Sequence, residues 1–243
     1  MAGAFDAARH PTDTLFLRLF PEIDYPNPNA PWATPDTSKS IAAFQYLVTR
    51  FRASLDPEPR VNYVWAPWGK TAGKIPLYWP GAAYVDTVGC SLWLCPASAF
   101  DEWEVIRSLV ELMDMRYPAL AAYAKSAMVC ELAVTPTGCE GSGSGFGADG
   151  FQRQQMFDFF NAVKSGRYPL LQNLVYYNAA DTADDPWIFN GTDYGAMDWT
   201  ISSSVFTSGS DLIQSRCHLW PGDTSRSANN GALAAIPYDC HAG

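Results

Sequence analysis

The regular alternation of short β-prone segments with longer segments of helical period is the feature that most narrows what this chain can become. Five segments rich in β-branched or aromatic residues stand out: Leu15–Phe20, Val61–Ala66, Tyr84–Trp93, Ala127–Val134 and Asn173–Asn178. Between them apolar residues recur every three or four positions, the mark of crossover helices that return the chain to lay each strand parallel to the last. The clearest helix carries Ile41, Phe44, Leu47, Val48, Phe51 and Leu55 after a cap at Asp36–Ser38. A second is expected from near Ser98 through Trp103, Ile106, Leu109, Val110 and Met113, with Tyr117-Pro118 restarting a short helix to Lys125. A third runs from Phe151 to Lys164 and stops at Gly166, and only a weak helix is expected around Val205–Gln214.

Strands spaced by roughly thirty to fifty residues match the unit size of a fold in which about 250 residues make eight βα repeats. The expected fold is therefore α/β, of the (β/α)8 TIM-barrel type, incomplete with about five βα units. It occupies residues 1–216, and residues 217–243 are read as an irregular tail. A closed barrel would need about three further units in front of Leu15, so the front of the barrel is expected to be missing. The alternative is an open or half barrel whose exposed strand edges call for a partner chain.

Composition excludes several classes of function. The chain has 243 residues, 48% hydrophobic and 17% charged, enough apolar material for a substantial core. A formal net charge of −9 without a basic run argues against nucleic acid as a partner. No stretch of about 18 apolar residues is present, so no membrane span is expected. The three histidines and six cysteines show no metal-ligand spacing, and no metal or cofactor is expected. Cys90, Cys95, Cys130, Cys139, Cys217 and Cys240 instead suit two or three disulfides, with Cys217–Cys240 the simplest closure of the tail. Together with the sequon Asn190-Gly191-Thr192 they favour a secreted protein, although Met1 to Pro11 has no signal-peptide character.

Two carboxylates fall where chemistry is done in βα barrels, at or near the carboxyl ends of strands. Glu22 follows Leu15-Phe-Leu-Arg-Leu-Phe-Pro, and Glu131 is the only charge in the apolar run Ala127–Val134. An isolated carboxylate in such a run must be paired, protonated or functional, whereas Glu22 also reads as an ordinary strand-end acid. Arg18, inside the first strand, calls for a carboxylate network. Two carboxylates on non-adjacent strands, facing each other across a barrel mouth, are what cleavage of a glycosidic bond needs. Trp32, Trp65, Trp68, Trp79 and Trp187 lie in loops or at strand ends, where flat rings could stack on sugar faces or simply pack. The run Glu140–Gly147 lacks the register of a phosphate-binding loop and reads as a loop over the cleft. Neither HExxH nor GxSxG occurs.

Three segments occur in a telling order: Leu17-Arg18-Leu19-Phe20-Pro21-Glu22-Ile23-Asp24, then Trp79-Pro80-Gly81-Ala82-Ala83-Tyr84-Val85-Asp86-Thr87-Val88-Gly89, then Val129-Cys130-Glu131. They resemble strands four, six and seven of glycoside hydrolase family 26, the β-mannanase group of clan A barrels. Tyr168–Leu171 through Tyr176-Tyr177-Asn178 resembles the eighth strand, with Asp198-Trp199 following, and the resemblance covers about residues 14 to 214. It implies a retaining, endo-acting hydrolase of β-linked polysaccharide, β-mannan or a related β-glucan, with Glu22 as acid/base and Glu131 as nucleophile. The implied partner is a polysaccharide or oligosaccharide substrate, met by Trp32, Trp65, Trp68, Trp93, Tyr177 and Trp187.

The sequence departs from the family pattern at four positions. Pro21 stands where a His often precedes the acid/base, and Asp24 stands for an Asn. Ser91 and Trp93 replace the Asp and Tyr after the strand-six Gly, and in the family that Tyr helps to hold the nucleophile. These departures leave two alternatives open, a non-catalytic carbohydrate-binding relative and an inactive barrel fragment.

Overall fold

The computed structural model describes residues 14–25, 32, 34–54, 61–69, 72–94, 108–135 and 150–177, and the backbone of 188–189, 192–193 and 233–236. All five expected strands form: β1 (Leu15–Leu19), β2 (Val61–Trp65), β3 (Thr87–Leu94), β4 (Ser126–Val134) and β5 (Leu171–Tyr177). They are parallel and follow one another in the order β1-β2-β3-β4-β5, with helices in the connections, so the chain has the expected α/β fold, with five parallel strands among the described residues. The pairing is set by register, Arg18 opposite Val64 in β1 and β2, then Val64 opposite Thr87 in β2 and β3. Beyond β5, the two-residue strands β6 (Ile188–Phe189) and β7 (Thr192–Asp193) pair with each other. Strand β8 (Leu233–Ile236) runs antiparallel to β5 in the stretch expected to be irregular.

The chain divides into two compact units, residues 1–91 with 118–128, and residues 92–117 with 129–243. In the first unit, α1 (Thr37–Ser54) starts where the Asp-Thr-Ser sequence places it. The Asp36 carboxylate accepts hydrogen bonds from the Lys39 amide at 3.2 Å and the Ser38 hydroxyl at 2.6 Å. These bonds and the Lys39 ammonium, 3.1 Å away, hold the Asp36 carboxyl down to about 2 from its ordinary 3.8. Phe44 and Val48 form the buried stripe of α1, each such side chain contributing about 1.5–3 kcal/mol by leaving water. Gln45 and Arg52 tie the helix to the Pro80 and Ala83 carbonyls at 2.8 Å. The Arg52 guanidinium also lies 5.1 Å over the Tyr63 ring. A 3-10 turn, Ala72–Tyr78, follows β2.

Helix α2 (Leu109–Ala121) is capped by Ser108, whose Oγ accepts the Glu111 amide at 3.1 Å and donates to the Glu111 carboxylate at 3.1 Å. Pro118 does not interrupt this helix, so the expected restart at Tyr117-Pro118 is not observed. The expected beginning near Ser98 lies outside the described residues. Helix α3 (Gly150–Lys164) buries Phe151, Met156, Phe159 and Val163. It ends in a Schellman turn, with Gly166 at φ 77°, its amide on the Val163 carbonyl at 3.0 Å and the Arg167 amide on Ala162 at 3.1 Å. Arg167 grips Asp114 through its Nε and one terminal nitrogen, at 2.9 and 2.6 Å, and the Tyr168 hydroxyl donates to the same carboxylate at 3.0 Å. Burial first and this carboxylate second hold the Tyr168 phenol well above the usual tyrosine range.

Arg18 donates to the Ser91 hydroxyl at 3.2 Å. Cys90 and Cys130 lie buried in β3 and β4, and no disulfide forms among the described residues. The other four cysteines, the sequon, Glu140–Gly147 and the weak helix around Val205–Gln214 lie outside them.

Because the Asp36 carboxyl is depressed, its stabilising contribution is complete above about pH 3.8 and is lost as the pH falls through about 2. Asp36→Ala is therefore expected to lower the thermal midpoint at neutral pH, with the gap to the parent narrowing through that acid range in circular-dichroism melts. A gap unchanged down to pH 2 would show that the cap is not electrostatic in origin.

Candidate active site

Strand β1 ends at Leu19, and the loop that follows, residues 20–25, has an unusual backbone. Phe20 and Glu22, on either side of Pro21, have φ of 49° and 55°. Both lie in the left-handed region, which costs an L-residue about 1–2 kcal/mol. Such strain persists only where the surroundings over-determine it. Here the Glu22 amide donates to the Ala66 carbonyl at 3.0 Å and the Tyr25 amide to the Glu22 carbonyl at 2.9 Å. Ile23 is 1% exposed and pegs the loop into the core.

The main clamp is Asp24. The residue is 7% exposed, and its carboxylate accepts the Trp68 amide on one oxygen and the Gly69 amide, at 3.1 Å, on the other. Charge-assisted bonds of this kind contribute about 1.5–3 kcal/mol each, enough together to offset the strain at Phe20 and Glu22. Gly69 is itself at φ 80°, a conformation that lets its amide turn toward the carboxylate without a Cβ clash. The loop after β1 is thus fastened to the loop after β2 at the carboxyl ends of two adjacent strands.

Aromatic rings line the same loop. Tyr25 meets Trp68 edge-on with centroids 4.4 Å apart, and the Trp32 indole N–H donates to the Pro21 carbonyl at 2.9 Å. Burial raises the Tyr25 phenol above its ordinary pKa, and the negative charge of Glu22 raises it further.

Glu131 belongs to the second unit. It is half-buried within β4, between buried Cys130 and buried Leu132. Trp93 of β3 and Tyr177 of β5 have ring centroids 4.8 Å apart, although β4 stands between their strands. Neighbouring strands lie about 4.8 Å apart, so the two rings can meet only by reaching over β4, the strand that carries Glu131. Both rings are half-buried. In the strand order, β2 and β3 separate β1 from β4.

The proposed sugar platforms fare unequally. Trp65 is wholly buried, its ring 5.0 Å from Trp79 and 5.5 Å from Tyr123, while Trp79 stacks on Tyr123 at 4.0 Å. Trp65 is therefore a core residue and not a platform, because no face of its ring reaches solvent. Trp68 is 6% exposed and contributes its amide to the clamp. Trp32, Trp93 and Tyr177 keep partly exposed rings, and Trp187 lies outside the described residues. Sequence reasoning missed Tyr25 and the clamp made by Asp24. The signal available was Pro67-Trp68-Gly69, a turn-forming run directly after a strand, whose free amides need an acceptor.

Parts of several solved structures superpose on the chain. A family 26 β-mannanase from Bacteroides ovatus is 13% identical over 51% of this chain and 34% of its own, with a TM-score of 0.40. GH26C from Muricauda sp. is 17% identical over 60% and 37%, with a TM-score of 0.42. A modular endo-β-1,4-mannanase from Cellulomonas fimi is 18% identical over 61% and 32%, with a TM-score of 0.42. The chain thus spans about a third of the length of these structures. No family model and no curated protein matches the sequence.

A left-handed glutamate is a residue kept at a cost in stability. Glu22→Gly is expected to resist urea better than Glu22→Ala by about 1 kcal/mol, since glycine adopts this φ without a Cβ penalty. Equal midpoints for the two variants would mean that the loop carries no strain at this position.

Proposed function

We propose that this chain is part of a retaining, endo-acting glycoside hydrolase that cleaves β-mannan or a related β-glucan. The observation that carries the reading is the loop after β1, in which a strained glutamate is fixed at a strand's carboxyl end in a loop lined by Tyr25, Trp68 and Trp32. Conformations of this kind concentrate at functional sites, where position matters more than stability. The half-buried Glu131, the one charged residue of β4, is the second carboxylate of this reading.

In this reading Glu22 protonates the leaving glycosidic oxygen while Glu131 attacks the anomeric carbon, forming a glycosyl–enzyme bond and releasing the leaving-group sugar. Glu22, now a carboxylate, takes a proton from water, whose oxygen attacks the same carbon and frees Glu131. Retention of configuration requires the two carboxyl groups to stand about 5–5.5 Å apart. Trp32, Trp93 and Tyr177 offer ring faces to sugar units. An exported location follows from the substrate, a polymer that is met outside the cell.

A second reading is a carbohydrate-binding relative without turnover. It is favoured by the environment of the departures from the family pattern: Ser91 is engaged by Arg18, and Trp93 packs on Tyr177.

In the full-length protein, Glu131→Gln and Glu22→Gln are each expected to lower reducing-sugar release from soluble mannan or glucan by about 10²–10⁴-fold. Full activity in the Glu131 variant would remove the nucleophile assignment. Glycan binding by the parent protein with no turnover would favour the second reading.

A further inference from the structure

We propose that Asp24 is a positioning residue, which sets the direction of the Glu22 carboxyl by locking the left-handed loop after β1 onto the loop after β2; this rests on the hydrolase reading of Glu22. Two carboxylates stand two residues apart in one loop, and their surroundings divide the labour between them. Both oxygens of Asp24 are committed to backbone amides, Trp68 on one and Gly69 on the other, in a site that is 7% exposed. A carboxylate so engaged cannot hand a proton to a sugar without giving up one of these bonds, so Asp24 holds and does not react.

What it holds is the path of residues 20–25. Glu22 contributes one backbone bond of its own to the second loop, through its amide and the Ala66 carbonyl at 3.0 Å. One such bond fixes a point and leaves the loop free to pivot about it. Asp24 adds two anchors on Trp68 and Gly69, two and three residues beyond Ala66, and the Tyr25–Trp68 ring contact at 4.4 Å adds a third. Several anchors spread along four residues remove the pivot, and the Glu22 side chain then departs from a backbone of fixed direction. The Glu22 and Asp24 side chains are thereby coupled through the chain.

The isosteric Asp24→Asn replaces one acceptor oxygen by an NH2 that faces a backbone N–H, so one anchor becomes a repulsion. In the full-length protein, hydrogen exchange at the Trp68 and Gly69 amides is expected to accelerate at least tenfold. The NMR titration midpoint of the Glu22 carboxyl is expected to move, and kcat on soluble mannan to fall on the order of 10²-fold with KM within twofold. Loss of stability alone would not split kcat from KM in this way. Asp24→Glu keeps the charge and both acceptor oxygens but pushes the loop outward by one methylene. It should move the same three readouts and serves if the Asn variant does not fold.

Unchanged exchange at both amides together with an unmoved Glu22 titration in either folded variant would overturn the proposal. If the parent protein releases no sugar, the hydrolase reading fails, while exchange and titration still decide whether Asp24 directs Glu22.

Discussion

A parallel strand covered on both faces can satisfy its backbone amides only through neighbouring strands, and this requirement organises the rest of the structure. In β3 every residue from Thr87 to Leu92 is buried, and in β4 only Ser126 and Glu131 are not. No water reaches these amides, so the strands must lie in register beside one another. Parallel register in turn requires a long return after each strand; α1, α2 and α3 supply three of the four, and the 3-10 turn Ala72–Tyr78 lies in the other. The caps at Asp36 and Ser108 and the Schellman turn at Gly166 determine where each return begins or ends.

The same scaffold makes the loop after β1 possible. A loop with two left-handed residues relaxes unless something rigid holds it. Here the rigid element is β2, whose register with β1 brings residues 66–69 alongside residues 22–24. Buried Asp24 converts that adjacency into a clamp, and the energy of its two charge-assisted bonds sustains a backbone that would otherwise rearrange. Polar groups on the sheet are arranged with similar economy: Arg18 and Ser91 stand on the same side of the β1-β2-β3 register and bond to each other.

Much of this was legible before any coordinates. The five strands emerge from β-branched runs, and their observed limits differ from the expected ones by three residues at most. Helices α1 and α3 follow from stripes such as Phe44–Val48 and Met156–Phe159, reinforced by a cap and a terminal glycine. Pro118 misled, because the missing amide of a proline is tolerated where the rest of the helix is held by packing, and Leu112, Met113 and Leu120 are all buried. Trp65 misled for another reason: position at a strand end does not reveal whether a ring points to solvent or into an aromatic cluster. That Arg18 needs polar partners was legible, and that Ser91 is one of them was not, since it lies 73 residues away.

By itself, the amino-acid sequence determined the class of fold, the order of its elements and the two glutamates worth attention, because periodicity and isolated charge are local properties written along the chain. Tertiary structure alone decided that Asp24 grips Trp68 and Gly69, that Glu22 sits in a left-handed conformation, that Trp65 is core, and that Trp93 and Tyr177 meet over β4. Each of these depends on which residues two strands bring side by side, and that depends on the packing of segments far apart in the chain, which no local pattern encodes.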